Sequence, residues 1–372
     1  MKLKLVTIVG TRPELIKLSK VIKKCDEFFD HKLVHTGQNY DYELNQVFFE
    51  DLGIRKPDMF LNVAGESASQ TVANVISKSD EYLREAKPDA LLVYGDTNSC
   101  LCVLSAKRLQ IPVFHMEAGN RCFDQLVPEE LNRKIVDHLS DINMVHSDHA
   151  RKYLEREGIK PETIIKTGSP IPEIYETYKD SINSSKVLEN LGLDKHGYIL
   201  VSAHREENVD YETDLRMLLG SLNEAARHFD KKVLVSVHPR TRKRIDALSD
   251  LELDERVILS KPLGYFDYNQ LQQCAFCVLS DSGTLTEEVD AMRFPGVMIR
   301  KTHERPEGMD VGAVVMSGLT AEGVINSIKL ATSDDSRKFN QIRDYEVSNV
   351  SSHVVKIISS YTEYVNRVVW HK

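Results

Sequence analysis

The chain has 372 residues, 41% hydrophobic and 28% charged, enough for two globular domains with separate cores and too apolar for a disordered polymer. A net charge of −8 argues against broad nucleic-acid binding and makes each basic cluster a local feature. No apolar run approaches the roughly 20 residues of a membrane span, and MKLKLVTIVG enters a strand without a signal-peptide cleavage region, so a cytoplasmic protein outside the membrane is expected.

In chain order, the runs LKLVTIVG, KLVHTG, ALLVYGD, VFHMEAG, INMVHS and TIIKTG are β-branched, bounded by turn residues and followed by amphipathic segments. They predict a parallel sheet wound with helices. The stretch SPIPEIYETYKDSINSS interrupts this rhythm, after which YILVSAHR, KVLVSVHP, VILSKPL, FCVLSDSG, GVMIRK and AVVMSG repeat it. The expected fold is α/β, with two Rossmann-like domains facing a central cleft. Residues 1–168 form the first and 169–352 the second, and a terminal helix over 353–372 packs back on the first. That helix places Val354, Val355, Ile358, Tyr361, Val365 and Val368 at near-helical spacing.

Ligands of such sheets sit outside the carboxyl ends of the strands, so charged strand ends are the candidate site residues. GTRPELIK, residues 10–17, has a single glycine where a dinucleotide fold carries GxGxxG. Arg12 and Lys17 lie in and just beyond this strand-to-helix turn, where helix N–H groups favour an anion such as a diphosphate. Lys20 and Lys24 continue a stripe that reads as solvated. Asp96 in YGDTNS is either the N-cap of the following helix or a functional acid. Glu117 in HMEAGNR is a poor cap after an apolar run, and Ala118-Gly119 leave room for a ligand, which favours function. In PEELNRK, Glu129 is spaced to pair with Arg133.

In the second half, Thr284 and Glu287 of SDSGTLTEEV have capping-box spacing, which leaves Glu288 without a structural task. Ser282, Gly283 and the helix N-terminus form a phosphate seat, and an acid beyond it suits ribose hydroxyls. His204 and His238 end two echoing strands, LVSAHR and LVSVHP. The six cysteines lie in apolar surroundings, and the CxxC spacing of Cys274 and Cys277 has no second pair, so reduced core thiols are expected. The sequence carries neither HExxH nor a nucleophile elbow.

Taken together, GTRPELIK, YGDTNS, HMEAGNR, VPEELNR, SAHREEN, SDSGTLTEE and HERPEG resemble, in order and over most of the chain, the motif series of the non-hydrolysing UDP-N-acetylglucosamine 2-epimerases. The resemblance implies a GT-B type glycosyltransferase-like fold and a cytoplasmic homodimer that uses neither metal nor nicotinamide. Its substrate would be a UDP-N-acetyl-hexosamine, with UDP held mainly by the second domain. It assigns Asp96, Glu117, Glu129 and His204 to catalytic positions and Lys17 and Arg12 to the diphosphate. It also assigns Ser282, Gly283 and Thr284 to the phosphate turn, Glu288 to the ribose, and Arg305 to a segment matching the UDP site.

Two departures stand out. Gln38-Asn39-Tyr40 replaces the family's Gln-His-Arg in a region that, with Arg205 and His238, corresponds to a second, regulatory UDP-sugar site in bacterial members, which argues against such regulation here. Ser-Gly-Thr at 282–284 replaces Ser-Gly-Gly. The stretch HTGQNYDYELNQVFFEDLGIRKPD instead resembles the branch that forms UDP-N-acetyl-L-fucosamine from UDP-N-acetyl-L-talosamine for capsule or O-antigen polysaccharide. The alternatives are a UDP-N-acetylglucosamine/UDP-N-acetylmannosamine epimerase and, beyond it, a UDP-sugar glycosyltransferase, a hydrolysing relative or a non-catalytic UDP-sugar sensor.

Overall fold

The computed structural model describes residues 2–37, 49–237, 239–248, 250–333 and 338–372. The chain divides into two compact units, Met1–Ile174 with Asp344–Lys372, and Tyr175–Arg343. In the first unit, β1 (Lys4–Val9), β2 (Asp30–His35), β3 (Met59–Phe60), β4 (Ala90–Tyr94), β5 (Val113–Ala118), β6 (Ile142–Val145) and β7 (Ile164–Lys166) form one parallel sheet. Their order is β3-β2-β1-β4-β5-β6-β7. Runs such as ALLVY are apolar throughout because helices cover both faces, and every residue of β4 is buried. Val75 and Leu83 of helix Ala68–Ala86 join Ile8, Val34, Leu91 and Val93 in the core.

The terminal helix, Val350–Val365, packs against helix Arg12–Phe28. It buries Val354, Val355, Ile358 and Val365, each a contribution of about 1.5–3 kcal/mol. Val368 instead lies in a π turn, Asn366–Trp370, which breaks the 3.6-residue spacing and leaves it exposed. The two-residue β3 is too short to show a periodicity, and the sequence pattern did not predict it.

The division falls at 174/175 and 343/344 instead of the expected 168/169 and 352/353. Residues past the expected boundary are tied to the first sheet by packing. Ile171 and Ile174 are buried, Lys166 pairs with Asp344 at 2.6 Å, and a Cβ on Gly168 would meet the Asp344 carbonyl at 2.9 Å.

The second unit contains β8 (Tyr198–Ser202), β9 (Lys232–Ser236), β10 (Val257–Ser260), β11 (Cys277–Ser280), β12 (Gly296–Met298) and β13 (Val315–Met316). They pair in parallel in the order β10-β9-β8-β11-β12-β13. Ile199, Val201, Val235 and Leu279 pack with Leu218 and Leu222 of helix Glu212–Phe229 and with Ile328 of helix Ala321–Ala331. All six cysteines are buried and free. Among the described residues, no helix is long and apolar enough to cross a membrane.

Candidate active site

Each sheet reverses its winding once, between β1 and β4 in the first unit and between β8 and β11 in the second. The loops leaving neighbouring strands there turn to opposite faces and open a crevice at the strand ends. In the first unit those ends are Gly10-Thr11 and Gly95-Asp96. A Cβ on Gly10 would lie 1.7 Å from Ser99 Oγ and 2.4 Å from Thr36 Oγ1, so the close approach of these chains demands glycine.

Glu14, in the first turn of helix Arg12–Phe28, folds back onto this crevice. Its carboxylate accepts the N–H groups of Gly10 and Thr11, each at 2.6 Å, and the Thr97 hydroxyl at 2.7 Å. Burial, opposed by these hydrogen bonds, raises the Glu14 carboxyl above its ordinary range. The protein's own carboxylate therefore takes the Gly10 and Thr11 N–H groups of this turn. Arg12 is half-buried at the helix start, and Lys17 reaches Glu117, with Nζ 2.6 Å from Oε2 and 5.2 Å from the centre of the Tyr94 ring.

Glu117 has φ of 65°, left-handed for a non-glycine residue, and the pairing of β5 with β6 slips a register between Met116 and Ala118. Such a bulge re-aims one side chain at a cost in backbone energy, a device concentrated at functional sites. The strand is braced on either side of it. Asp137 accepts the Gly119 N–H at 3.2 Å and Arg121 at 2.7 Å, and lies 3.0 Å from His115 Nδ1. His115 Nε2 in turn is 2.8 Å from the Gly95 carbonyl, joining the ends of β4 and β5. Burial raises the Asp137 carboxyl, but His115 and Arg121 together outweigh it and hold the group below its usual range.

Asp96 does not cap the following turn. Thr97 does, accepting the Ser99 N–H at 3.3 Å ahead of the 3-10 helix Asn98–Cys102. The Asp96 carboxylate instead accepts Arg133 Nε at 2.8 Å, and Asn132 donates to its carbonyl at 2.9 Å. Both partners come from helix Pro128–Leu139, where Arg133 also donates to the buried Glu130 at 2.8 Å. Glu129 is half-buried on the same helix. In the first unit, then, Asp96 after β4 is set beside Arg133, and Glu117 at the end of β5 beside Lys17, each a carboxylate next to a cation.

In the second unit the buried Asp281 follows β11. Its Oδ2 accepts the N–H groups of His204 and Arg205, both at 2.9 Å, and Asn208 Nδ2 at 3.1 Å. Arg205 donates through Nε to the Asp281 carbonyl at 3.0 Å and through a terminal nitrogen to Glu304 at 2.7 Å. Ser282 and Thr284 share a hydroxyl contact at 2.7 Å beside Gly283, with the Thr284 N–H directed at Ser282 Oγ.

The capping box expected here is not formed. Thr284 has helical backbone angles and makes no side-chain cap, while the fully buried Glu287 accepts Arg305 Nε at 2.9 Å. Arg305, expected at the UDP, is itself 2% exposed in that pair. Glu288 is half-buried and accepts Gln272 Nε2 at 2.7 Å. Gln38 and His238 lie outside the described residues.

Sequence reasoning passed over Asp281 and Glu304, and gave Glu14, Glu130 and Arg133 only local tasks on their helices. For Glu14 a signal was available, since Thr11-x-x-Glu14 has capping-box spacing. Asp281 follows a strand directly, as Asp96 nearly does. The others are legible only through contacts far apart in the chain.

Two doubly wound parallel sheets with charged groups at their switch points define a nucleotide-binding type of α/β protein with a GT-B-like fold. A glycosyltransferase from Phytolacca americana, solved with UDP-2-fluoroglucose and pterostilbene, shares that fold at 13% identity and a TM-score of 0.59, over 97% of this chain and 100% of its own. The sequence profile described as UDP-N-acetylglucosamine 2-epimerase matches residues 23–359.

A UDP-N-acetylglucosamine 2-epimerase of Methanococcus maripaludis is 34% identical over 331 residues, 87% of this chain and 90% of the relative. A UDP-2,3-diacetamido-2,3-dideoxy-D-glucuronate 2-epimerase of Pseudomonas aeruginosa is also 34% identical, over 88% of this chain and 92% of its own. Among solved structures, a UDP-N-acetylglucosamine 2-epimerase from Rickettsia bellii superposes with a TM-score of 0.93 at 48% identity, with both chains fully covered. The Methanocaldococcus jannaschii enzyme, in complex with UDP-GlcNAc and UDP, gives 0.90 at 30% identity over 96% of this chain and 100% of its own. The chain belongs to the UDP-N-acetylglucosamine 2-epimerase family, as an enzyme of its non-hydrolysing kind.

Proposed function

We propose that the protein inverts C2 of UDP-N-acetyl-L-talosamine to give UDP-N-acetyl-L-fucosamine, for capsule or O-antigen polysaccharide, in the cytoplasm. The C2–H of such a sugar is not adjacent to a carbonyl, so its direct removal has no enolate to stabilise it. A base takes the C2 proton as the bond from C1 to the diphosphate oxygen breaks. The C–H pair becomes the C1=C2 double bond of a 2-acetamidoglycal, and UDP leaves with the C–O pair. Re-addition of UDP to C1, with protonation of C2 from the opposite face, yields the epimer.

Asp96, Glu117 and Glu129 serve as the acid/base groups, and Lys17, Arg12 and His204 meet the charge that develops on the departing diphosphate. Ser282, Gly283 and Thr284 seat a phosphate, Glu288 binds the ribose, and Arg305 keeps the adjoining wall in place through Glu287. The observation that carries the reading is the strained Glu117, re-aimed by a bulge and set 2.6 Å from Lys17. The 6-deoxy-L-sugar rests on the stretch HTGQNYDYELNQVFFEDLGIRKPD, of which residues 38–48 lie outside the described part. Two relatives of equal identity that act on different acetamido sugars support a substrate other than UDP-N-acetylglucosamine within this family.

A second reading, the UDP-N-acetylglucosamine/UDP-N-acetylmannosamine pair, is favoured by the names of most relatives. Purified protein offered a panel of UDP-acetamido sugars in deuterated water separates the two. Turnover of the talosamine and fucosamine forms with deuterium at C2 supports the first reading, and turnover of UDP-N-acetylglucosamine alone rejects it.

The protein acts as a homodimer in this reading. Leu131 and Ile135, one turn apart on helix Pro128–Leu139, and the preceding Leu126 are exposed and offer an apolar contact surface. Light scattering on the Leu131→Glu/Ile135→Glu variant tests this, with a monomer as the expected result.

A further inference from the structure

We infer that Asp281 is a positioning residue which holds His204 in one tautomer, with hydrogen on Nδ1 and Nε2 facing outward to the reacting nucleotide sugar. This rests on the proposed role of His204. Asp281 is 0% exposed at the end of β11, at the switch point against β8. Its Oδ2 is committed to three donors, the N–H groups of His204 and Arg205 and the Asn208 amide. Its Oδ1, also buried, has no hydrogen-bond partner of standard geometry and lies 3.1 Å from His204 Nδ1.

A buried carboxylate oxygen left without a donor is costly, and the adjacent ring nitrogen satisfies it when that nitrogen carries a hydrogen. The two ends of the contact are fixed in different ways. The carboxylate is clamped through Oδ2, whereas the His204 side chain is 52% exposed, so the ring is held at its Nδ1 edge while the other edge stays accessible. Nε2 is then the nitrogen that meets substrate, as an acceptor in neutral imidazole and a donor once protonated. Arg205, between Asp281 and Glu304, keeps the same turn in place from the opposite side.

The substitution Asp281→Asn tests the inference because its effect is directional. The asparagine oxygen still serves the three Oδ2 donors, which leaves the amide NH₂ facing His204 Nδ1. A donor there forces the hydrogen onto Nε2 and reverses the tautomer. In a serine protease triad the corresponding change lowers turnover on the order of 10⁴-fold with geometry intact.

In the wild-type protein, two-bond ¹H–¹⁵N correlation spectra of His204, assigned by loss of the signal in His204→Gln, are expected to show the Nδ1–H form. In Asp281→Asn they are expected to show the Nε2–H form. Turnover in the deuterium assay should fall on the order of 100-fold or more in Asp281→Asn, with less than about a threefold change in KM and in the Kd for UDP.

A wild-type His204 in the Nε2–H form overturns the inference whatever the activity, and so does an Asp281→Asn protein that retains turnover within threefold. If the asparagine variant does not fold, the wild-type spectrum alone decides the tautomer. Full turnover by His204→Gln would instead refute the proposed site and leave the spectroscopic result on Asp281 standing.

Discussion

Lys17 Nζ lies 2.6 Å from Glu117 Oε2, with each side chain 9% exposed, so a cation from the first helix and a carboxylate from β5 pair at the carboxyl end of that strand. The two residues are 100 positions apart. A lysine that sequence alone places beside a turn therefore has a distant carboxylate as its partner.

Lys17→Met should lower turnover on the order of 100-fold, the scale seen when one preorganised donor is removed from a developing anion. The Kd for UDP should change by less than about threefold. Calorimetric UDP titration beside the deuterium assay checks this, and a loss confined to binding would contradict the assignment. Glu117→Gln should likewise keep UDP binding and lose C2 exchange.

The positive φ of Glu117 implies backbone strain stored at this position. Glycine at that position relieves strain of order 1–2 kcal/mol, but alone it leaves Lys17 buried without this partner. The double variant Lys17→Met/Glu117→Gly removes the ion pair and the strain together and should be at least as stable as the wild type while inactive. Urea unfolding measures it, and a large loss of stability relative to wild type would show that the bulge does not store strain.

Glu14 carries a pH prediction. Its folded-state carboxyl is raised by burial, so the folded protein binds this proton more tightly than the unfolded chain. Stability from this group is therefore greatest below its ordinary pKa of about 4.5 and declines as pH rises through the raised value. Glu14→Gln lacks the titration. Urea midpoints of wild type and variant across a pH series should show the wild type losing ground to Glu14→Gln as pH increases from the acid side, and the opposite trend would reject the role given to burial.

Glu287 and Glu288, adjacent in sequence, should behave as different kinds of residue. Glu287→Ala leaves the guanidinium of Arg305 buried without this carboxylate and should destabilise by roughly 3–5 kcal/mol. Glu288→Ala removes a half-buried acceptor for Gln272 and should cost about 1 kcal/mol in stability, with its main effect on the Kd for UDP. Unfolding and titration of the two variants give the comparison, and equal destabilisation would remove the distinction.

The alternation of β-branched runs and amphipathic segments was enough to place twelve strands and both parallel sheets, because a strand covered on both faces must be apolar along its whole length. Val368 and the pair Met59–Phe60 escaped because a π turn shifts phase and two residues carry no period. Strand-end acids were legible for a related reason. Glu117 stands out as a charge directly after a buried run, where only a partner or a ligand accounts for it, whereas Asp96 read equally well as an N-cap.

By itself, then, the sequence determined the α/β architecture, the repetition of the fold and the motif series that the family profile matches. Those properties depend on local periodicity and on residues close together in the chain. The tertiary structure decided which charge answers which. Glu14 takes the N–H groups of the Gly10-Thr11 turn, Thr97 displaces Asp96 as a cap, Glu287 turns from Thr284 to Arg305, and Asp281 faces His204. Spacing along a helix can offer a near neighbour as partner, but a buried charge takes whichever partner the packed sheet brings to it, because leaving it unpaired costs more than any local cap supplies.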